Sequence, residues 1–198
     1  MSQSVAEHEG KAEFRRRVVA ARASMPAADR AAAGRMIRDH VLSLPQVAAA
    51  GTVAAYYSVG TEPDTRSLVY ALWKRGSYVV LPLLLPDGDL DWASYEGPDS
   101  LVAGPRGLLQ PAEPPRGTGT VSRADVVLVP AVAVDRTGCR LGRGGGSYDR
   151  ALARVGEQVP SIALLYDDEL VDEVPADDHD QAVRAVARPG YGVTWLRE

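Results

Sequence analysis

Apolar and polar positions change period several times along the chain, and each change marks an element. Residues 9–23 carry Phe14, Val18 and Ala21 at helical spacing, and residues 27–44 carry Ala33, Met36, Ile37, Val41 and Leu44 on one stripe. Ser24 and Pro26 separate these two predicted helices, and Pro45 is expected to end the second. From Thr52 to Ser58 the residues are β-branched, small or aromatic, and turn residues follow, which predicts a strand. Asp64 then stands as an N-cap before Leu68, Val69, Leu72 and Trp73, and Gly76 as the C′ residue of that helix. Tyr78–Pro82 reads as the next strand. A strand, a helix and a strand joined by short connections argue for a parallel pair.

Residues 83–122 are rich in proline and glycine and lack a long periodic segment. Leu90–Tyr95 is expected as a strand at the sheet edge, and residues 111–121 as a mobile loop. The nearly unbroken apolar run Asp125–Val134 predicts a central strand buried on both faces. A glycine-rich turn follows, then a helix over about residues 146–155, a strand over Pro160–Tyr166 and a short late strand over Val183–Val186. The expected class is α/β with one mostly parallel sheet, in a single domain spanning residues 1–198, with residues 1–8 disordered.

Composition narrows the function classes. The chain has 198 residues, 45% hydrophobic and 24% charged, which excludes collagen, coiled coil and disorder as its main state. A chain of this length buries about two thirds to three quarters of its unfolded surface and needs no disulfide or metal staple. The single cysteine, Cys139, excludes an internal disulfide framework and a cysteine-based zinc site. The net charge of −4 argues against broad nucleic-acid binding. The N-terminal residues form no apolar run of the signal-peptide kind, and no stretch reaches the roughly 18 apolar residues of a membrane span. The expected location is the cytoplasm.

The segment from Asp135 to Asp149 is the strongest candidate for chemistry, because it follows the most buried strand and ligands of open α/β sheets sit beyond strand carboxyl ends. Glycines at 142, 144, 145 and 146 allow a close backbone approach and turn N–H groups toward one point. Arg140 and Arg143 offer guanidinium forks for phosphate oxygens, and Asp149 offers a carboxylate for Mg2+. The loop is neither a Walker A sequence nor a dinucleotide fingerprint. Glycines alone would read as a plain turn; two arginines and an aspartate beside them favour an anion site. Lys11 and Arg15, four apart on one helix face, read alone as a solvated basic surface. Glu62 lies past the first strand's carboxyl end, at the same sheet edge as the glycine loop, and is a candidate ligand acceptor. The acidic tract 167–180 offers a metal site as one reading and a solvated acidic surface as the other, with the surface favoured for most of its residues, and His40 reads as a helix-surface residue. Cys139 reads as a passive loop residue, the alternative being a thiol whose pKa the nearby arginines lower.

Taken together, these segments resemble the 5-formyltetrahydrofolate cyclo-ligases, also called 5,10-methenyltetrahydrofolate synthetases. The resemblance rests on Lys11 with Arg15, the turn Glu62-Pro-Asp-Thr65, Gly107-Leu-Leu-Gln-Pro111, the strand ending in Val129-Pro130, the loop Arg140–Arg150 and Pro175 with His179-Asp180. It implies a three-layer α/β/α sandwich similar to the ribose-phosphate isomerase and CoA-transferase group. It also implies an ATP- and Mg2+-dependent enzyme that converts 5-formyltetrahydrofolate to 5,10-methenyltetrahydrofolate, ADP and phosphate. By position, Lys11, Arg15, Arg140, Leu141, Gly142, Arg143, Gly144, Gly145, Gly146, Ser147 and Tyr148 resemble the family's ATP contacts. Asp149 and Asp180 resemble its Mg2+ ligands, and Tyr57, Glu62 and Tyr148 fall where the family meets folate. Arg140 and Arg143 are the expected catalytic pair. The expected partners are the folate and ATP alone, with no nucleic acid and no membrane, on a monomer.

The chain departs from that family's usual residues at Arg106, Ser147, Glu169 and Ala187. Two other readings therefore stand beside the enzyme: a non-catalytic folate or nucleotide binder of the same fold, and a sugar-phosphate isomerase or CoA-transferase relative without ATP.

Overall fold

The computed structural model describes residues 10–175 and 180–196. The expectations for residues 1–8, for His179 and for the Arg106 side chain fall outside that description. Helices α1 (Lys11–Ser24) and α2 (Ala27–Leu42) open the chain, and a short α3 (Pro45–Ala48) leads into β1 (Thr52–Ala54). Then come α4 (Arg66–Lys74), β2 (Tyr78–Leu84), β3 (Leu90–Ser94), β4 (Leu101–Ala103) and β5 (Leu109–Pro111). The second half holds β6 (Val126–Pro130), β7 (Ala133–Asp135), β8 (Arg140–Leu141) and α5 (Ser147–Leu152). It closes with β9 (Ser161–Leu164), β10 (Leu170–Val171), β11 (Ala185–Arg188) and β12 (Gly192–Trp195).

The main sheet has seven strands in the order β12-β11-β9-β6-β1-β2-β3. Its interior pairs are parallel, and the two edge strands β12 and β3 run antiparallel to their neighbours. Side chains alternate along each strand, so successive residues face opposite layers. Val53, Val79, Leu81, Leu128 and Ile162 pack on one face with Ile37 and Val41 of α2 and Leu68 and Leu72 of α4. Ala54, Val80, Val127, Val129 and Ala163 pack on the other with Ala151 and Leu152 of α5 and with Val121 and Ala124. Helices thus cover both faces, and the three-layer α/β/α architecture holds. Phe14 and Val18 of α1 cover a smaller sheet, β10-β7-β8, through Val132, Ala133 and Leu141. Among the described residues no helix is long and apolar enough to cross a membrane.

The chain leaves β1 for β2 on one side and later returns to β6 on the other side of β1. The β1/β6 boundary is therefore the topological switch point, where connections diverge and leave a crevice beyond the strand ends.

Several expected boundaries move. Asp125–Val134 is not one strand: β6 stops at Pro130, and β7 joins the small sheet. Pro130 has no N–H to extend the ladder, and the Ala131 carbonyl is taken by Arg22 Nη2 at 2.7 Å. The strand expected over Thr52–Ser58 ends at Ala54, because Thr65 takes over the backbone beyond it. Thr65 Oγ1 donates to the Tyr56 carbonyl at 2.7 Å and accepts the Ser58 N–H at 2.9 Å. Residues 111–121 are not a free loop. Arg116 N–H donates to the Trp92 carbonyl, Gly117 N–H donates to Asp91 Oδ1, and a 3-10 turn over Thr118–Arg123 buries Val121. Pro45 starts α3 rather than only ending α2. Thr65 is the residue before α4, and Asp64 Oδ1 accepts the Arg66 N–H at 3.1 Å from one position further out. Gly76, at φ 95°, is the expected C′ residue. His40 is half-buried rather than on an open surface, with Nε2 at 2.9 Å from the Pro189 carbonyl.

Candidate functional site

A cleft of about 530 Å³ opens at the switch point. One wall comes from the loop after β1 and carries Tyr56, Tyr57 and Glu62. The other comes from residues 130–149, which follow β6 and include the glycine loop. Helix α1 and Asp180 close one end, and the apolar residues Pro82, Leu84, Leu90 and Leu109 reach in from the β2–β3 and β4–β5 hairpins.

The glycine loop owes its shape to side chains packed against it. A Cβ on Gly142 would fall 2.6 Å from Arg140 Nη1, so only glycine fits while that guanidinium lies there. Gly144 and Gly146 have φ values of 98° and 64°, in the left-handed region that glycine tolerates. Arg15 Nε donates to the Gly142 carbonyl at 2.7 Å, which ties α1 to the loop. Lys11, one turn earlier, lies 2.7 Å from Asp180 Oδ2. The pair that read alone as a solvated basic surface therefore lines the cleft. Helix α5 is shorter than expected and ends at Leu152.

Arg140 is buried and donates through Nη2 to Asp149 Oδ1 at 2.7 Å. The same oxygen accepts the Gln181 N–H at 3.2 Å, which brings the neighbour of Asp180 to Asp149. Arg140 Nε is buried without a partner among the described residues. Arg143 is the opposite case: its side chain is 66% exposed and reaches across the cleft to Glu62 Oε1 at 3.5 Å. Glu62 is only 11% exposed, and its Oε2 accepts the Val59 N–H at 2.9 Å. Burial pushes the Glu62 carboxyl above its ordinary pKa, while the Val59 N–H and the Arg143 and Arg22 charges act against that shift.

The hydroxyls of Tyr56 and Tyr148 are buried without a partner among the described residues. Burial pushes both phenols well up, with the nearby Glu62 charge adding to it, so they remain neutral donors. Tyr57 lies under the Arg66 guanidinium, 5.7 Å from its ring centre. Cys139 is half-buried, and burial raises its thiol pKa, so the alternative of an activated thiolate is corrected.

The residues present fit a hard divalent cation held partly by phosphate. Asp149 and Asp180 come from different segments and both line the cleft. No group of three His, Cys, Asp or Glu side chains among the described residues forms a metal cage. Mg2+ characteristically takes one or two carboxylates and completes its shell with water and substrate phosphates.

Two features of the cleft leave little local signal in the sequence. Arg22 and Glu169 form a buried ion pair beside the cleft. A buried pair so far apart in the chain leaves no spacing signal, although an arginine on the apolar face of α1, four residues after Val18, is a faint one. The apolar contribution of the β4–β5 hairpin has no strand periodicity behind it, because Gly104 and Gly107 break any alternation there, and the Gly107–Pro111 segment stands out only through the family resemblance.

A glycine loop, guanidinium groups and two carboxylates gathered at the switch point of an α/β sandwich place the chain in the class of α/β enzymes with a ligand cleft beyond the strand ends. The model of the 5-formyltetrahydrofolate cyclo-ligase family matches residues 7–189, and the chain belongs to that family. It is 40% identical to the 5-formyltetrahydrofolate cyclo-ligase of Mycolicibacterium smegmatis over 94% of this chain and 97% of that one. It is 33% identical to the Escherichia coli K12 cyclo-ligase over 82% of this chain and 91% of that one. The NMR structure of Aquifex aeolicus 5,10-methenyltetrahydrofolate synthetase superposes with a TM-score of 0.82 at 26% identity, covering 95% of this chain and 93% of that one.

Proposed function

We propose that this cleft binds ATP and 5-formyltetrahydrofolate side by side and catalyses the ATP-driven closure of the folate to 5,10-methenyltetrahydrofolate, releasing ADP and phosphate. The observation that carries this reading is the meeting of Glu62 and Tyr57 with the glycine loop, Lys11 and Arg15 in a single cleft. Nothing in the chain spacing of those groups requires it. Family membership supports the same activity.

The formyl group on N5 is an amide, and its oxygen is a poor leaving group. In the proposed reaction that oxygen attacks the γ-phosphorus of ATP, and the bond to ADP breaks. N10 then attacks the activated formyl carbon and loses its proton, and the C–O bond breaks to release phosphate. The protein's share is to position the reactants and to stabilise charge. Arg143 reaches the cleft from the loop apex, where its exposed side chain faces Glu62, and is assigned to the transferring phosphoryl group. Arg140, whose Nε–H is buried without a partner among the described residues, is assigned to the same group. Lys11, Arg15 and the glycine-loop backbone hold the rest of the triphosphate. Glu62 accepts the pterin N–H donors, and the hydroxyls of Tyr56 and Tyr148 donate to its acceptors. Asp149 and Asp180 would hold Mg2+, which when bound neutralises phosphate charge.

The test is methenyltetrahydrofolate formation followed by absorbance, with and without ATP, together with ADP release. Equal amounts of both products, each requiring the other substrate, are expected. Tight binding of either ligand without turnover would favour the non-catalytic binder. ATP-independent change of a sugar phosphate or acyl-CoA would favour the third reading. For the metal, Asp149→Asn should raise the Mg2+ concentration needed for half-maximal rate, and an unchanged requirement in a folded variant would remove Asp149 from the metal site.

A further inference from the structure

Arg22 and Glu169 have no part in the roles just proposed, yet they make the most completely bonded ion pair in the described structure. Their side chains are 4% and 7% exposed. Arg22, in the last turn of α1, donates through Nε to Glu169 Oε1 at 2.6 Å and through Nη2 to Oε2 at 2.8 Å. Nη2 also donates to the Ala131 carbonyl at 2.7 Å, and Oε2 accepts the Tyr166 N–H at 2.8 Å. A buried pair is weak grounds for stability, because an apolar pair of similar volume often serves as well. Its connections point elsewhere.

The Ala131 carbonyl lies at the break between β6 and β7, on the cleft wall. The Tyr166 ring lies 5.6 Å from the Arg22 guanidinium, and its hydroxyl donates to the Thr61 carbonyl at 3.2 Å. Thr61 is the neighbour of Glu62. One chain of contacts therefore runs from Arg22 through Glu169 and Tyr166 to the Glu62 loop, and none of its hydrogen bonds ends on residues 142–147. Arg22 lines the cleft, whereas Tyr166 and Glu169 do not, so the two variants at 166 and 169 act only through other residues.

We infer that the Arg22–Glu169 pair is a positioning device for the folate end of the cleft, fixing the Glu62 loop through Tyr166. Neither Glu169 nor Tyr166 touches a substrate. The inference rests on the reading of Glu62 as the pterin acceptor.

Tyr166→Phe removes only the hydroxyl on Thr61 and leaves the ion pair whole. It should raise KM for 5-formyltetrahydrofolate about three- to tenfold, the size of one hydrogen bond, with KM for ATP within about twofold and kcat nearly unchanged. Glu169→Gln keeps the shape but removes an acceptor from either Tyr166 N–H or Arg22, and should move the same constant further in the same direction. Arg22→Lys keeps the charge, loses the fork, and should do likewise. A rise of both KM values together, or of neither, overturns the inference. If Glu169→Gln does not fold, Tyr166→Phe decides alone. Glu62→Gln measured alongside separates the two ideas. Should it leave the folate KM unchanged, the reading of Glu62 falls and this inference with it. Should it raise that KM while Tyr166→Phe does not, only this inference falls.

Discussion

At the glycine-loop end of the cleft, Lys11 meets Asp180, Arg140 meets Asp149, and Arg15 meets the Gly142 carbonyl. At the Glu62 end, the hydroxyls of Tyr56 and Tyr148 are buried with no partner among the described residues, and Glu62 is held by one backbone N–H and an exposed arginine. The two ends prepare for ligand in different ways. Where cations are already paired, an incoming phosphate competes with the protein's own acceptors for them, and Arg140 Nε alone is buried there without a partner among the described residues. Where hydroxyls wait unpaired, the protein carries the desolvation penalty until a ligand satisfies them. Damage at the paired residues of the first end should therefore reach the fold, and damage at the second should reach binding first and stability only through the titration of Glu62.

Arg140→Ala is the severest way to test that contrast. It leaves Asp149 without its guanidinium in a nearly buried place, which should lower unfolding free energy by about 3–5 kcal/mol and abolish measurable turnover. Denaturant unfolding and the absorbance assay read both. A fully stable but inactive variant would break the link between fold and site.

Arg143→Ala comes next and should split the two effects. Its side chain is exposed, so stability should hold within about 0.5 kcal/mol. The barrier should rise by about 2–4 kcal/mol, in kcat more than in KM for ATP, because the charge it meets grows in the transition state. An unchanged kcat with a raised KM for ATP would reduce it to a tether.

Glu62→Gln should have the smallest effect on the reaction: a folate affinity about tenfold weaker by calorimetry, with nucleotide affinity nearly unchanged. Its pH dependence sharpens the contrast further. Burial raises the Glu62 pKa, so the folded protein holds that proton more tightly than the unfolded chain. Stability should then fall as pH rises from the ordinary carboxylate value through the raised one, and Glu62→Gln should flatten that slope. Folate binding needs the ionised form and should be lost as pH falls through the same window. Equal losses for both ligands would erase the division between the ends.

The glycine loop and its arginines were legible because four glycines in five positions, between a buried apolar run and a helix, have few other uses. The layers were legible because the helical stripe of α2 and the run into β6 bury in the way their periods require. The end of β6 was not. A side chain from α1 captures the Ala131 carbonyl, and no local pattern announces a partner 109 residues away. The Thr118–Arg123 turn was hidden for a similar reason, since its order comes from bonds to β3 rather than from its own composition.

What the sequence determined alone was local: period, breakers, the strand-loop-helix order around the glycines, and the residue types that could hold phosphate. Those follow from backbone sterics and from burying one face of each element, which act over a few residues. Which basic groups meet which acceptors was decided only in three dimensions. Lys11 finds Asp180 across 169 residues, Arg15 finds Gly142 across 127, and Arg22 finds Glu169 across 147. A charged side chain reads the same in sequence whether it ends in solvent or in a pair. Only the packing of α1 against the small sheet removes the water that would otherwise be its partner.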